Sequence, residues 1–284
     1  MPQPFQNTIL SWYSQNKRDL PWRKTTDLYR IMVSEVMLQQ TQVDRVIDYY
    51  ERWLKRFPNA AALAKASNAE VLRYWSGLGY NRRALFLKRA AEELVNKEKE
   101  SHLPRTIEEL QELSGIGPYA ARAIAAFSWD AGVTATDTNI RRIFSRYYFK
   151  GAGSITSINN KIESETPTHG RVWNNALMDF GSLICTAKNP KCHECQFRKT
   201  CSAFEAGKTG RYTRIAPPQS KFEGSKRQYR GAILRILLKK PMTKKTLTAA
   251  LIKELGDREF IEEVIGDMVG EELIKKEESN YRLT

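Results

Sequence analysis

Residues 113 to 127 read "LSGIGPYAARAIAAF", and they decide how the rest of the chain is parsed. One helix runs into a glycine, a G-I-G turn follows, and Pro118 opens the next helix where its missing N–H costs nothing. Gly115 and Gly117 let the backbone approach a ligand closely, and the new helix offers free N–H groups and a positive dipole end. The pattern is a helix, a hairpin turn and a helix, suited to hold a phosphate. An ordinary glycine-rich turn between packed helices carries the same signature.

Working outward, three- and four-residue apolar spacing or start and stop signals predict helices almost throughout. They fall at 5–16, 28–54, 60–66, 69–75, 81–96, 106–113, 118–128, 138–148, 156–165 and 170–184. The stretch "GKTGRYTRIAPPQSKFEGSKRQY" changes to Gly, Pro, Ser and Lys and reads as a linker over 207–227. Beyond it, "RGAILRILLKK", "TKKTLTAALIKEL" and "REFIEEVIGDMV" read as three helices and "ELIKKEESNYRLT" as a hairpin turning near Ser279 and Asn280. The expected fold is mainly α, with a small winged-helix-like α+β domain at 228–284.

The chain has 284 residues, with 46 Lys and Arg against 32 Asp and Glu, a formal charge of +14. Such a surplus suits a polyanionic partner, although a solvated basic surface gives the same sum. No run of about 18 apolar residues occurs, and "MPQPFQNTILSWYSQNKRDLPW" is not a signal peptide. A soluble cytoplasmic protein without a membrane partner is expected, and a monomer. From residue 216 onward 14 basic residues meet 11 acidic ones, so most of the positive surplus lies earlier in the chain.

All four cysteines fall in "CTAKNPKCHECQFRKTC". Cys185, Cys192, Cys195 and Cys201 are too crowded for a disulfide framework in a cytosolic chain and predict a metal site. Four thiolates suit zinc or an iron-sulfur cluster equally. Lys188, Lys191, Arg198 and Lys199 among them would display cations that a phosphate backbone could use.

Two acids stand out. In "VSEVMLQQTQV", residues 33–43, Glu35 lies among Ile31, Met32, Leu38 and Gln39 at helical spacing, with little counter-charge. A carboxyl there holds its proton longer than a solvated one, as a general acid needs, while an edge residue of a packed face looks the same. In "VTATDTNIRRIF", residues 133–144, Asp137 or Thr138 could simply cap the helix starting near Asn139.

Taken together, "LSGIGPYAA", the aspartate some twenty residues later and the cysteine loop resemble the endonuclease III superfamily of DNA glycosylases. Within it, "LPWRK", "SEVMLQQTQV", "GLGY" and "ALMDFGSLICTAKNPKCHECQFRKTC" resemble the MutY-type adenine DNA glycosylases. The resemblance covers roughly residues 5 to 205. It implies a two-lobed helix-hairpin-helix domain over 1–206, with a helical barrel lobe at 22–132 and a cluster lobe made of 1–21 and 133–206. It also implies a 4Fe-4S cluster on the four cysteines and double-stranded DNA with a mispaired or damaged base as partner.

The resemblance further implies that the base is flipped from the duplex and its bond to deoxyribose broken through an oxocarbenium-like transition state. Glu35 would protonate the departing base, and Asp137 would stay ionised and stabilise the sugar cation. Bifunctional members carry lysine where Tyr119 stands, and tyrosine cannot form their Schiff base, so a monofunctional enzyme leaving an abasic site is expected. Tyr80 matches the aromatic that wedges into the stack. Arg18, Leu20, Trp22 and Gln42 match positions near the base pocket or the opposite base, with core packing the competing reading for Leu20 and Trp22. Gln39 and Gln40, uncharged amides, suit hydrogen bonds to base edges in a groove.

Departures are equally specific. Asn81 stands where the family has a second tyrosine, Thr138 where it has a glycine, and the winged-helix-like segment replaces the usual domain that reads 8-oxoguanine. Three functions compete: excision of adenine opposite 8-oxoguanine or G, excision of T or U opposite G, and a non-catalytic iron-sulfur DNA-binding regulator.

Overall fold

In the computed structural model, which describes residues 4–99, 102–214 and 221–284, the continuous helix expected over 28–54 is two helices. These are α2 (Leu28–Leu38) and α3 (Val43–Arg56), and Gln39–Gln42 form the break, with Gln40 left-handed at φ 58°. The break contains neither Gly nor Pro. Its cause is remote: the Arg83 guanidinium donates to the carbonyls of Val36 (2.7 Å), Met37 (3.2 Å) and Gln39 (2.5 Å). Those carbonyls are the acceptors that a continuing helix would have used, so the arginine ends α2 as a cap does.

The other helices are α1 (Pro4–Asn16), α4 (Ala60–Ala64), α5 (Asn68–Trp75), α6 (Arg82–Lys99), α7 (Ile107–Gln111), α8 (Pro118–Trp129), α9 (Thr138–Phe149), α10 (Ile155–Glu165) and α11 (Gly170–Leu183). They continue with α12 (Ser202–Glu205), α13 (Lys226–Leu237), α14 (Lys244–Leu255) and α15 (Arg258–Gly270). Several begin where a side chain accepts from a free backbone N–H of the first turn: Asn59 from Ala62, Ser67 from Glu70, Thr243 from Thr246 and Asp257 from Phe260. Helix α12 and a 3-10 turn at Pro21–Lys24 were not foreseen.

Two compact units result. The first takes residues 1–31, 105–111 and 116–217; the second takes 32–104, 112–115 and 218–284. The core of the first is aromatic: Phe5 of α1 stacks on Phe197 at 4.8 Å and meets Phe144 of α9 edge-on at 5.2 Å, beside the fully buried Trp173 of α11. In the second, Trp53 of α3 sits edge-on to Phe57 (4.9 Å) and to Trp75 of α5 (5.5 Å), all three out of solvent. Removing any of these rings costs about 3–5 kcal/mol.

The second unit also holds the C-terminal segment. There α13, α14 and α15 pack together with β1 (Met242–Thr243), β2 (Ile274–Glu277) and β3 (Asn280–Leu283) in an antiparallel sheet of order β1-β3-β2. The hairpin turns at Glu278 and Ser279, Glu278 taking φ 51°. The short β1 escaped the sequence because two residues carry no alternation. Of the expected linker, residues 215–220 lie outside the described residues, and 211–213 are fastened rather than free: Arg146 donates to the Arg211 carbonyl and Thr213 to that of Gly153. No helix among the described residues is long and apolar enough to cross a membrane.

Candidate functional site

In the second unit Glu35 lies on α2, 5% exposed, beside buried Ser34 and Val36. The carboxyl is thus held in an apolar helix whose C-terminal end is fixed by Arg83. That same guanidinium donates to Thr41 Oγ1 (3.3 Å) and Gly79 O (3.0 Å) and lies over the Trp75 and Tyr80 rings. Burial lowers the Arg83 pKa to about 10, against the opposing pull of Tyr80, which leaves it charged at neutral pH. It ties the glutamine turn to the G-L-G-Y loop.

That loop is tightly specified. Gly77 has φ 105°, and a Cβ there would fall 2.1 Å from the Tyr49 hydroxyl, which donates to the Ser76 carbonyl. Trp75 Nε1 donates to Gly79 O at 3.0 Å. Tyr80 itself is left-handed at φ 48°, a strained state for a bulky residue that costs of order 1–3 kcal/mol. Gln39, Gln40 and Tyr80 line one concavity of about 260 Å³ together with Arg82, Arg83 and Arg230. Gln42, exposed at the start of α3, caps it with no side-chain bond. Gly115, at φ 77°, excludes any side chain because a Cβ would meet that of Phe86 at 2.6 Å.

In the first unit Asp137 is the N-cap of α9. Its Oδ1 accepts from Ile140 N (2.7 Å) and its Oδ2 from the Asn139 amide (2.6 Å). Burial pushes its pKa up, opposed by these hydrogen bonds and by the Arg142 charge. The capping role read from the sequence is therefore present, on a residue of intermediate exposure. Its setting is more crowded than the polar environment expected of it. Tyr119 lies half-buried in the first turn of α8, and Gly117, the N-cap of that helix, brings no capping side chain and has open space at its Cα.

Leu20 and Trp22 are 5% and 8% exposed, so packing engages both. Arg18 is committed to a buried ion cluster: its Nε meets Asp179 Oδ1 at 2.6 Å, and Arg23 grips both oxygens of the same carboxylate at 2.7 and 2.8 Å. Burial alone would raise the Asp179 pKa; the Arg23 bond and charge, followed by Arg18, outweigh it and hold the carboxyl below its usual range.

Cys185, Cys192, Cys195 and Cys201 line one cavity, with Phe180 and Phe197 among its walls. Among the described residues no three His, Cys, Asp or Glu are gathered to hold a single metal ion. Burial, with added repulsion from the neighbouring cysteines, pushes the Cys195 thiol up to about 12. Four thiolates here therefore require a cationic centre. The loop is pinned to α9 by two buried arginines. Arg142 donates to the carbonyls of Cys185 and Gly181 at 2.7 Å, and Arg146 to those of Thr186 (2.6 Å) and Ala187 (2.9 Å), with Cys185 Sγ at 3.4 Å. Tyr212 covers both guanidiniums at 5.7 and 5.2 Å.

Arg23, Arg83, Arg142, Arg146 and Asp179 were not singled out from the sequence. Each acts on carbonyls or charges distant in the chain. The one available signal was the spacing of Arg142 and Arg146, four apart on the apolar face of α9.

A profile described as HhH-GPD superfamily base excision DNA repair protein matches residues 33–166. An adenine DNA glycosylase of Mycolicibacterium smegmatis is 36% identical over 261 residues, covering 88% of this chain and 87% of that protein. One from Mus musculus is 38% identical over 226 residues, but these span only 44% of its length. Among solved structures, a thermostable thymine-DNA glycosylase aligns with TM-score 0.66 at 28% identity, over 71% of this chain and 95% of that one. A non-covalent endonuclease III–DNA complex aligns with TM-score 0.61 at 16% identity, over 72% and 94%, a likeness of fold.

Proposed function

Because the chain belongs to the HhH-GPD superfamily of base excision DNA repair proteins, we propose that it is a monofunctional adenine DNA glycosylase. It hydrolyses the N-glycosidic bond of adenine opposite 8-oxoguanine or G and leaves an abasic site. The observation that carries the choice of adenine is the likeness to the mycobacterial adenine DNA glycosylase, which extends over 88% of the chain. Action in the cytoplasm, at the nucleoid, belongs to the same reading, as does the winged-helix-like module at 228–284.

Glu35 is the proton donor to the base. Its position, 5% exposed on an apolar helix, keeps bulk water from a carboxyl that must give up a proton as the bond breaks. Asp137 stabilises the sugar cation: its two N–H donors and the positive end of α9 favour its ionised form, against the burial that opposes it. Tyr119 offers no amine, so no Schiff base with the sugar forms. Tyr80 wedges into the stack, Gln39, Gln40 and Gln42 meet base edges, and the open backbone at Gly117, with Gly115 shaping the turn, receives a phosphate.

The four cysteines hold a 4Fe-4S cluster. What supports it is that they ring one cavity lined by aromatic rings, with Arg146 at Cys185 Sγ. The cluster supplies a structural crosslink between four thiolates, and the protein's own part is to fix the loop through Arg142 and Arg146.

A second reading, excision of T or U opposite G, draws on the 28% identity to the thymine-DNA glycosylase. Duplexes with A:8-oxoguanine, A:G, T:G and U:G, treated with alkali after incubation, separate the two. Strand cleavage at A only after alkali is expected. Cleavage confined to T or U would replace adenine as the substrate, and cleavage nowhere would leave a DNA-binding regulator. Glu35→Gln should slow excision about 10²–10⁴-fold, and full activity in that variant would remove Glu35 from the mechanism.

A further inference from the structure

The C-terminal segment carries a modest surplus of positive charge, but that charge is unevenly placed. Most of its cations are paired within the module: Lys226 with Glu263 and Asp267, Arg230 with Glu271, Arg235 with Glu254, and Lys244 and Arg258 with Glu262. One face departs from this. A groove of about 460 Å³ runs between α5 and the β2–β3 hairpin, and its lining contains Arg73, Lys239, Lys240, Lys275 and Arg282 with no acidic side chain. Lys275 and Arg282 share the nearby Glu277 carboxylate. Arg73, Lys239 and Lys240 are exposed and form no ion pair among the described residues.

The groove is built from both walls. Helix α5 packs against β3, and the Asn68 amide donates to the Thr284 hydroxyl at 3.4 Å. On the neighbouring helix Arg89 pairs with Glu272, whose carbonyl accepts from the same hydroxyl at 2.6 Å. The module is thereby fixed to α5, and α5 runs directly into the Gly77–Tyr80 loop. Concentrated unpaired cations raise the free energy of the unliganded fold by mutual repulsion. Their excess is relieved by an anion that offers several charges along a line. The apolar part of the floor, Leu237, Leu238 and Leu283, includes buried side chains and provides no deep socket for a protein partner's anchor residue.

We infer that this groove, formed jointly by α5 and the C-terminal module, is a second phosphate-binding surface that engages the DNA backbone flanking the strand position probed by Tyr80. The inference rests on the glycosylase reading for the identity of the duplex. It assigns the module a task other than reading the opposite base: it lengthens the footprint and adds sequence-independent affinity.

The test is the salt dependence of binding. The full chain is titrated onto a labelled duplex carrying A opposite G between about 50 and 200 mM KCl, and log Kd is plotted against log salt. Each phosphate contact contributes a slope of about 0.9. The double variant Lys239→Gln/Lys240→Gln should therefore lower the slope by about 2 and weaken binding by roughly tenfold at the upper salt. Arg73→Gln, on the other wall, should lower the slope by about 1. All three side chains are exposed, and unchanged thermal melting verifies that folding is intact. The loss should appear in Kd rather than in the excision rate at saturating protein, and should vanish on a duplex too short to reach the groove.

An unchanged slope in both variants overturns the proposal and assigns the groove to another anionic partner, such as an acidic protein segment. A loss of equal size on the short duplex also overturns it. If the wild-type chain excises no base from any duplex while the variants still lose slope, the glycosylase reading fails and the groove stands.

Discussion

Two segments without regular secondary structure, the cysteine loop of the first unit and the glutamine turn of the second, are both held by arginines from another helix, yet in opposite ways. Around the cysteine loop, Arg142 and Arg146 serve carbonyls of a loop that a metal cluster would crosslink; none of Cys185–Cys201 takes a left-handed φ. Around the glutamine turn a single guanidinium, Arg83, serves three carbonyls of α2 and its end and three more in the next loop, those of Leu78, Gly79 and Tyr80, and both segments carry left-handed non-glycine residues, Gln40 and Tyr80. The first region is relaxed and multiply fastened. The second carries backbone strain, and Arg83 is the side chain that joins its two segments.

If the first unit is the rigid part, its buried charge cluster should be the costliest to break. Asp179→Asn leaves Arg18 and Arg23 without a counter-ion in a site the carboxylate fills at 0% exposure. The expected loss is about 3–5 kcal/mol in denaturant unfolding. Because the folded pKa of Asp179 lies below its usual value, its stabilisation is complete above the ordinary carboxylate range and disappears as pH falls through the depressed folded value. The gap between wild type and variant should therefore narrow on acidification. A gap independent of pH would assign the loss to packing and blur the contrast between the units.

The second unit should yield to Arg83→Met, which leaves the end of α2 without its donor. About 3 kcal/mol is expected, the scale of removing charged hydrogen bonds to buried carbonyls. Arg83→Lys sharpens the point, since one ammonium cannot bridge both segments. It should recover part of the stability while DNA affinity, read by titration, stays low. If lysine restored affinity fully, the joint fixation of the two segments would be unnecessary. Gly115→Ala should cost about 1–3 kcal/mol, because the added methyl overlaps Phe86 in a left-handed position.

The same contrast explains what the sequence could show. The start of α8 at Pro118, the capping of α9 by Asp137 and the helices with terminal hairpin of the C-terminal module are local signals, each written within a few residues. The end of α2 is not. Residues 28–54 keep helical apolar spacing without a breaker, and the residue that ends the helix stands 44 positions beyond Gln39. Residues 211–213 read as linker because their composition is polar and basic. Their fastening comes from Ser145, Arg146 and Gly153, which composition does not report. Arg142 and Arg146 likewise stand four apart on the apolar face of α9, and only the loop carbonyls placed against them show what they serve.

The smallest effect gives the finest test of where strain resides. Gln40 is exposed and left-handed at φ 58°, a conformation that costs an L side chain roughly 1 kcal/mol and glycine almost nothing. Gln40→Gly removes that cost but increases the freedom of the unfolded chain, so the net change should be a stabilisation of a few tenths of a kcal/mol, up to about 1. The same substitution deletes an amide from the concavity shared with Tyr80 and Arg82, so DNA affinity should fall while the melting temperature holds or rises. That opposition of signs belongs to a residue kept for contact at the expense of the fold. A variant that lost both stability and affinity would show instead that the Gln40 side chain helps hold the turn. Arg83 would then share the fastening of the turn with Gln40.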